Sequence, residues 1–263
     1  MTDGSAYRRF WDGVGERFPD LQGAVSTEYY TGNERRLFAE YFPPLDGLRI
    51  LKTDLWDEAK NTRILAWASR QGACVYGIDI SAPTLAQARS AFTATPGGRG
   101  LGAALGDVRA LPFLEDSFDA VYSMGTIEHF DETAQAVAEM ARVLKPGGRA
   151  IIGVPNRRDP FLRPLFVTVL QAIGLYGYGY EKSYSRPALR RLVEGAGLIV
   201  VAETAILFIP GWLRMLDLAC HAWCRPLAPL TGALVRPFML LDRHLPAVRR
   251  HGYLLATVVT KCG

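Results

Sequence analysis

Several common signals are missing from this 263-residue chain. It has four cysteines, Cys74, Cys220, Cys224 and Cys262, and no pair of them has zinc-ligand spacing. Cys220 and Cys224, with His221 between them, fall four apart; that spacing reads as packing on one helix face rather than as a metal site. The net charge of +4 is too small to argue for nucleic acid, and no dense basic run concentrates it. The start, Met1-Thr2-Asp3-Gly4-Ser5, has no charged-then-apolar signal pattern, so a reducing cytoplasm is the expected location. No stretch reads as a transmembrane helix: residues 164–180 are free of charge but short, and Pro164, Gln171 and several glycines interrupt them. There is no internal repeat and no low-complexity tract. A 49% hydrophobic and 21% charged composition suits one globular α/β unit with appended elements.

Against those absences stands one organised stretch, Cys74 to Phe130. Cys-Val-Tyr-Gly-Ile ends in Asp79, Gly-Ala-Ala-Leu-Gly ends in Asp107, and a run from Ser117 ends at Glu128 and His129. Short buried-type strands that each end in a carboxylate present acceptors along one sheet edge, where α/β proteins bind ligands. The rest of the chain alternates in the same manner. Strands are expected at Leu48–Leu51, Cys74–Ile78, up to Asp107, Phe118–Ser123, Arg149–Val154, Leu198–Ala205 and Tyr253–Thr260. Helices are expected at Glu34–Phe42, from about Asp57 to Ser69, and at Thr84–Ala94, Glu132–Leu144, Phe161–Leu175 and Arg186–Glu194. Ser81 with Pro83 supplies a cap, Pro96–Gly100 reads as a loop, and Lys145-Pro146-Gly147-Gly148 reads as a helix stop. The fold class that follows is α/β: a doubly wound, mostly parallel seven-stranded sheet of Rossmann type with a helical insertion before the last strand.

The segments Val75-Tyr-Gly-Ile-Asp79-Ile-Ser81, Gly106-Asp107-Val-Arg-Ala-Leu-Pro-Phe113, Ser117-Phe-Asp-Ala-Val, Ile127-Glu-His129 and Leu144-Lys-Pro-Gly-Gly148 come in a recognisable order. In this they resemble class I S-adenosylmethionine-dependent methyltransferases, most closely the small-molecule type similar to ubiquinone- and menaquinone-pathway enzymes. The resemblance spans about residues 48–205 and the last strand. It implies that Asp79, with Ile80 beside it, accepts from the ribose hydroxyls of S-adenosylmethionine. It likewise implies that Asp107 accepts from the adenine amino group, with Val108 offering a backbone N–H, and that Met124 and Gly125 lie beside the methionine part. The chain departs from the family after the first strand. Where the family has an acidic residue and a glycine-rich turn, this sequence reads Lys52-Thr53-Asp54-Leu55-Trp56-Asp57-Glu58-Ala59, without a glycine. A dinucleotide-type glycine fingerprint fails there too. Side chains such as Asp54 and Glu58 then have to form the cradle, Asp54 pairing with the cofactor's ammonium; otherwise the pocket is altered.

His129 is the candidate acid/base, because imidazole titrates near working pH and follows the strand on the sulfonium side; capping or packing beneath the acceptor is the competing role. Tyr29, Tyr30, Asn156 and Tyr180 are candidate acceptor contacts, with packing as the competing role for each. Residues 1–47 form an aromatic-rich, helical N-terminal cap, residues 48–206 and 252–263 the core, and residues 207–251 an apolar, arginine-dotted insertion. That insertion has three competing readings: a lid over a hydrophobic acceptor, a homodimer interface, or a basic amphipathic surface in peripheral contact with a membrane. The absence of an Asn-Pro-Pro-aromatic signature argues against nucleic-acid methylation; Val154-Pro-Asn156 is a different pattern. The expected activity is methylation of a hydrophobic small molecule, mainly on oxygen, with no metal. The rival is a methyltransferase-like binding or scaffold protein with lost or altered cofactor chemistry.

Overall fold

The computed structural model describes residues 4–95, 97 and 100–263. The loop expected at Pro96–Gly100 therefore falls largely outside the described residues, as do Met1, Thr2 and Asp3. Seven strands form one sheet: β1 (Arg49–Lys52), β2 (Cys74–Asp79), β3 (Leu101–Leu105), β4 (Phe118–Met124), β5 (Leu144–Pro155), β6 (Leu198–Ile206) and β7 (Leu254–Lys261). Their order is β3-β2-β1-β4-β5-β7-β6. β7 runs antiparallel to both β5 and β6, and all other pairings are parallel. The order reverses between β1 and β4, and a crevice at the carboxyl ends of those strands is where such sheets bind ligands.

Period-2 alternation divides the core between the two faces. Ile50, Val75, Ala120, Tyr122 and Ile151 face one helical layer, while Leu51, Ile78, Val121, Ala150 and Ile152 face the other. The first layer includes α2 (Val25–Tyr41) and α4 (Ile64–Arg70), and the second α6 (Thr133–Val143) and α8 (Arg186–Gly195). Each fully buried leucine or isoleucine contributes about 1.5–3 kcal/mol. Tyr122, in the middle of β4, is wholly buried, and its hydroxyl donates to Glu34 Oε1 of α2 at 2.8 Å. That bond satisfies a polar group that would otherwise oppose folding.

Several elements differ from the sequence expectation. The helix expected from Asp57 to Ser69 is two helices, α3 (Trp56–Lys60) and α4, broken where Arg63 adopts φ 54°. β3 ends at Leu105, so Asp107 lies in the following turn rather than at the strand end. Lys145–Gly148 does stop α6, yet it also belongs to β5. The pairing with β4 jumps from Phe118–Leu144 to Ala120–Arg149, so the Pro-Gly-Gly segment is a bulge within the strand. α5 (Ala82–Thr93) starts as its sequence suggests, with Ser81 Oγ accepting from the Thr84 amide.

Ahead of the sheet stand α1 (Gly4–Arg17) and α2, and α7 (Arg163–Ala172) follows β5. Between β6 and β7 lie α9 (Gly211–Trp223) and α10 (Ala228–His244). Two buried aspartates fix this insertion to α2. Asp217 accepts from the Ser26 amide and the Thr231 hydroxyl, and Asp242 accepts from Asn33 Nδ2.

Candidate active site

A cavity opens over the carboxyl ends of β1, β2 and β4, roofed by α1 and by elements from the 156–181 segment and α9. Asp79 reaches it directly from β2. Its Oδ2 accepts from the Leu55 amide at 2.9 Å and its Oδ1 from the Ser81 amide at 2.8 Å, which fixes the carboxylate and leaves one lone pair on each oxygen. Burial raises its pKa to about 7, partly offset by the two amides. Ile80, Val108, Met124 and Gly125 also line the cavity. Gly125 has φ 79°, a left-handed conformation that lets the backbone turn at the end of β4 while its N–H bonds to the Gly153 carbonyl.

Asp107 lines the same cavity, but in a different state from the expected one. Arg109 grips it: Oδ1 accepts from the Arg109 amide and Nε, and Oδ2 from Nε and Nη2. The guanidinium also lies over Tyr7 and Phe130 and reaches Glu132. An adenine amino group can engage this carboxylate only if Arg109 gives way.

The glycine-free turn is organised around Lys52. Its ammonium is wholly buried at the end of β1, 2.8 Å from Asp54 Oδ1 and 3.2 Å from Asp57 Oδ2. Asp54 Oδ2 accepts from Thr126 Oγ1 at 3.1 Å. Glu58 turns away from the cavity: its carboxylate accepts from the Leu65 and Ala66 amides at 2.8 and 3.4 Å and so caps the N-terminus of α4. The expectation that Glu58 forms part of a cradle is thereby corrected. Asp57, which the sequence suggested only as a helix-start residue, lines the cavity with Asp54 instead. Burial, opposed by Lys52, raises the pKa of Asp54; burial likewise brings Glu58 to about 7 and puts Glu34 well above the carboxylate range. One cation thus sits among four acids, and burial keeps some of them protonated.

His129 lies in the one-turn 3₁₀ segment Ile127–His129 after β4. Its Nδ1–H donates to the Tyr180 carbonyl at 2.8 Å, and its ring packs edge-on against Trp11. Burial lowers its pKa, so the imidazole is neutral at pH 7 and Nε2 carries an acceptor lone pair. Glu128 Oε1 lies 4.0 Å from Nε2. Burial holds Glu128 protonated, and its Oε2 is buried without a hydrogen-bond partner.

Of the candidate acceptor contacts, Tyr30 alone lines this cavity. Tyr29 is buried with its hydroxyl accepting from the Phe208 amide, and Asn156 is committed to the Gly252 carbonyl through Nδ2. Both serve packing. Tyr180 lies on a neighbouring groove shared with Tyr7, Trp11 and His129. The rest of the cavity wall includes Trp11, Trp56, Tyr176, Tyr178, Tyr253 and two arginines. Arg163 is saturated by Glu181, which also takes the Tyr176 hydroxyl. Arg214 lies over the rings of Tyr30 and Tyr253 at 5.4 and 5.5 Å, and its Nε is buried without a partner. These residues sit on four helices and two connecting segments, and no local spacing unites them.

The methyltransferase-domain family matches residues 58–152. The chain is 31% identical over 145 residues to demethylmenaquinone methyltransferase of Corynebacterium kroppenstedtii, covering 55% of this chain and 57% of that protein. It is 28% identical over 217 residues to the ubiquinone/menaquinone C-methyltransferase UbiE of Desulfotalea psychrophila, covering 76% and 85%. A solved S-adenosylmethionine-dependent methyltransferase from Mesorhizobium loti shares the fold, with TM-score 0.59 and 17% identity over 92% of this chain and all of that one. The chain is thus similar, over residues 58–152, to the methyltransferase-domain family, and it shares the fold of a solved methyltransferase. It spans between about a quarter and just over half of the length of the first curated relatives it matches.

S-adenosylmethionine, which the sequence resemblance implies, would find suitable groups in this cavity. Asp79 keeps free lone pairs for ribose hydroxyls, and Asp54 and Asp57 form an acidic wall for an ammonium. The orphaned Glu128 Oε2 marks a polar position still unfilled by protein atoms. Among the described residues no group of three or more histidines, cysteines or acids could hold a metal ion.

Proposed function

We propose that the chain transfers a methyl group from S-adenosylmethionine to an apolar small molecule, with oxygen as the expected acceptor atom. The observation that carries this reading is one cavity that joins Asp79 and the acidic turn to an aromatic-walled compartment through Gly125 and His129. Sulfonium cofactors supply an electrophilic methyl carbon. The protein's part is to align the nucleophile and take its proton.

His129 is suited to that part. Its Nδ1–H is fixed by the Tyr180 carbonyl, its Nε2 is a free acceptor, and Trp11 limits water around the ring. A hydroxyl placed against Nε2 would pass its proton there as its oxygen bonds the methyl carbon and the carbon–sulfur bond breaks, the neutral thioether leaving. Glu128, held protonated by burial, can donate a hydrogen bond to the same oxygen or to His129 without competing for the proton. The aromatic wall selects a flat or apolar acceptor by contact area.

The first test is calorimetric titration with S-adenosylmethionine and S-adenosylhomocysteine, followed by mass analysis of products from a panel of phenols and hydroxylated quinone precursors. Micromolar binding and a methyl-sized mass gain support the proposal. His129→Gln should then lower kcat about 10²–10⁴-fold with cofactor affinity unchanged. Absence of binding to either ligand would favour the scaffold reading, and product methylated on carbon would replace oxygen as the acceptor atom.

A further inference from the structure

The cavity uses only one side of the elements that roof it. Arg163, Tyr176 and Tyr178 face inward from the segment around α7, and Arg214 and Leu218 face inward from α9. The other side of the same elements is turned to solvent, and it is unusually apolar. Among the described residues, fourteen of the twenty exposed large apolar side chains lie in residues 162–175 and 212–245. On α7, Leu165, Val169 and Ile173 stand four apart and form one exposed stripe. Leu162, immediately before the helix, adopts φ 57° and is 65% exposed, so an unfavourable backbone conformation presents yet another leucine outward. α9 packs against both α7 and α10 and adds Trp212 and Trp223 to the same outer region.

Charge on this region has one sign. Residues 207–250 contain six arginines, no lysine, no glutamate and two aspartates, a net of four positive charges. That equals the net charge of the whole chain, so the remainder is neutral overall. Both aspartates, Asp217 and Asp242, are buried in the hydrogen bonds that hold the insertion to α2. Arg225, Arg236 and Arg243 are exposed, with no exposed carboxylate from the same insertion beside them.

We propose that the outer face of α7, α9 and α10 docks on a bilayer containing anionic lipid. Leucines and tryptophans entering the headgroup region supply apolar burial, and the arginines meet the negative lipid surface. A second copy of the chain fits this face less well. A two-fold interface sets the same patch against itself, which here opposes arginine to arginine with no acid to pair. No helix among the described residues is long and apolar enough to cross a membrane, so the face lies on the bilayer rather than through it. Because the same elements line the aromatic compartment, the docked face is also the one through which a lipid-soluble acceptor is drawn. That last clause rests on the methyl-transfer reading; the docking itself does not.

The test is co-sedimentation of the full-length chain with phosphatidylcholine vesicles, with and without phosphatidylglycerol, at low and high salt and with no cofactor present. The proposal expects partition onto the anionic vesicles, a marked loss at high salt, and little binding to phosphatidylcholine alone. Leu165→Glu with Val169→Glu, and separately Arg236→Glu with Arg243→Glu, should each lower the partition about tenfold or more. Near-ultraviolet circular dichroism and the thermal midpoint, unchanged from wild type, verify that the variants are folded. Equal sedimentation with and without anionic vesicles would overturn the proposal. So would a stable solution dimer that Leu165→Glu converts to monomer, because the face would then be covered by a second copy. Cofactor titration is independent of both outcomes, so failure of docking and failure of the methyl-transfer reading are distinguishable.

Discussion

The two strand ends that frame the cavity solve the same problem differently. At the end of β2, Asp79 projects straight into the cavity and is held by two amides, one of them only two residues away. At the end of β1, the chain places a buried lysine and a turn of side chains where bare backbone is the family habit. That turn is held by side chains: Lys52 with Asp54 and Asp57 inside the turn, Glu58 with the start of α4, and Asp54 with Thr126 beyond β4. A strand-end acceptor is thus fixed by backbone amides alone, whereas the glycine-free turn is held by a network of side chains around a buried cation.

Removing the centre of the β1 turn should have the largest effect. Lys52→Met leaves several buried acids without their cation and should cost about 3–5 kcal/mol of stability, read by denaturant unfolding. A loss below about 1 kcal/mol would mean that the acids are simply protonated and the lysine is not what organises them. On the β2 side, Asp79→Asn turns an amide NH2 toward one of the two backbone donors, so it should cost about 1 kcal/mol of stability and weaken S-adenosylhomocysteine binding by about 1–3 kcal/mol in calorimetry. The two substitutions thus separate a structural ion cluster from a ligand acceptor.

Proton linkage gives a smaller, graded effect. Burial raises both Asp79 and Glu58 to about 7, above their values in the unfolded chain. The folded protein therefore holds these protons to higher pH than the unfolded chain does. Stability from this source is fully present below the unfolded carboxylate pKa and is lost as pH rises through about 7, by at most about 1.4 kcal/mol per pH unit for each group. Unfolding curves measured at about pH 5 and about pH 8 should show the higher stability at the lower pH from these groups. Ligand affinity should move the other way, since a hydroxyl donates better to ionised Asp79, so binding weakens as pH falls below about 7. The smallest effect belongs to Glu58→Gln: the amide keeps one acceptor for the α4 cap, and the expected loss is about 1 kcal/mol in thermal unfolding. A larger loss in ligand affinity than in stability would place Glu58 in the cavity after all.

The fold was largely legible because its signals are local. Apolar runs ending in Asp79, Met124 and Pro155 give parallel strands, and a carboxylate at a strand end lies on the ligand edge wherever the flanking helices fall. The cavity lining was legible where a residue sits at a strand end, as for Asp79 and Gly125. It was not legible where direction depends on packing. Tyr29 and Tyr30 are neighbours on α2, yet only Tyr30 reaches the cavity, because successive helical residues point about 100° apart. The break at Arg63 was hidden because residues 57–69 favour a helix locally, and the capping of α4 by Glu58 spans seven residues, outside helical spacing. Arg109 on Asp107 lay within reach of sequence reasoning, since the two are two residues apart; an arginine beside a predicted acceptor is a competitor to test for.

We propose that Asp54 and Asp57 hold the amino-acid end of the cofactor with side chains, where a glycine turn does so elsewhere. The direct measurement compares S-adenosylhomocysteine with methylthioadenosine, which lacks that end, on the wild type and on Asp54→Asn. The account predicts that the wild type prefers S-adenosylhomocysteine by about tenfold or more, and that Asp54→Asn removes most of the preference while methylthioadenosine binds as before. Equal affinity of the wild type for the two ligands would contradict it, because the acidic turn would then hold Lys52 and nothing else.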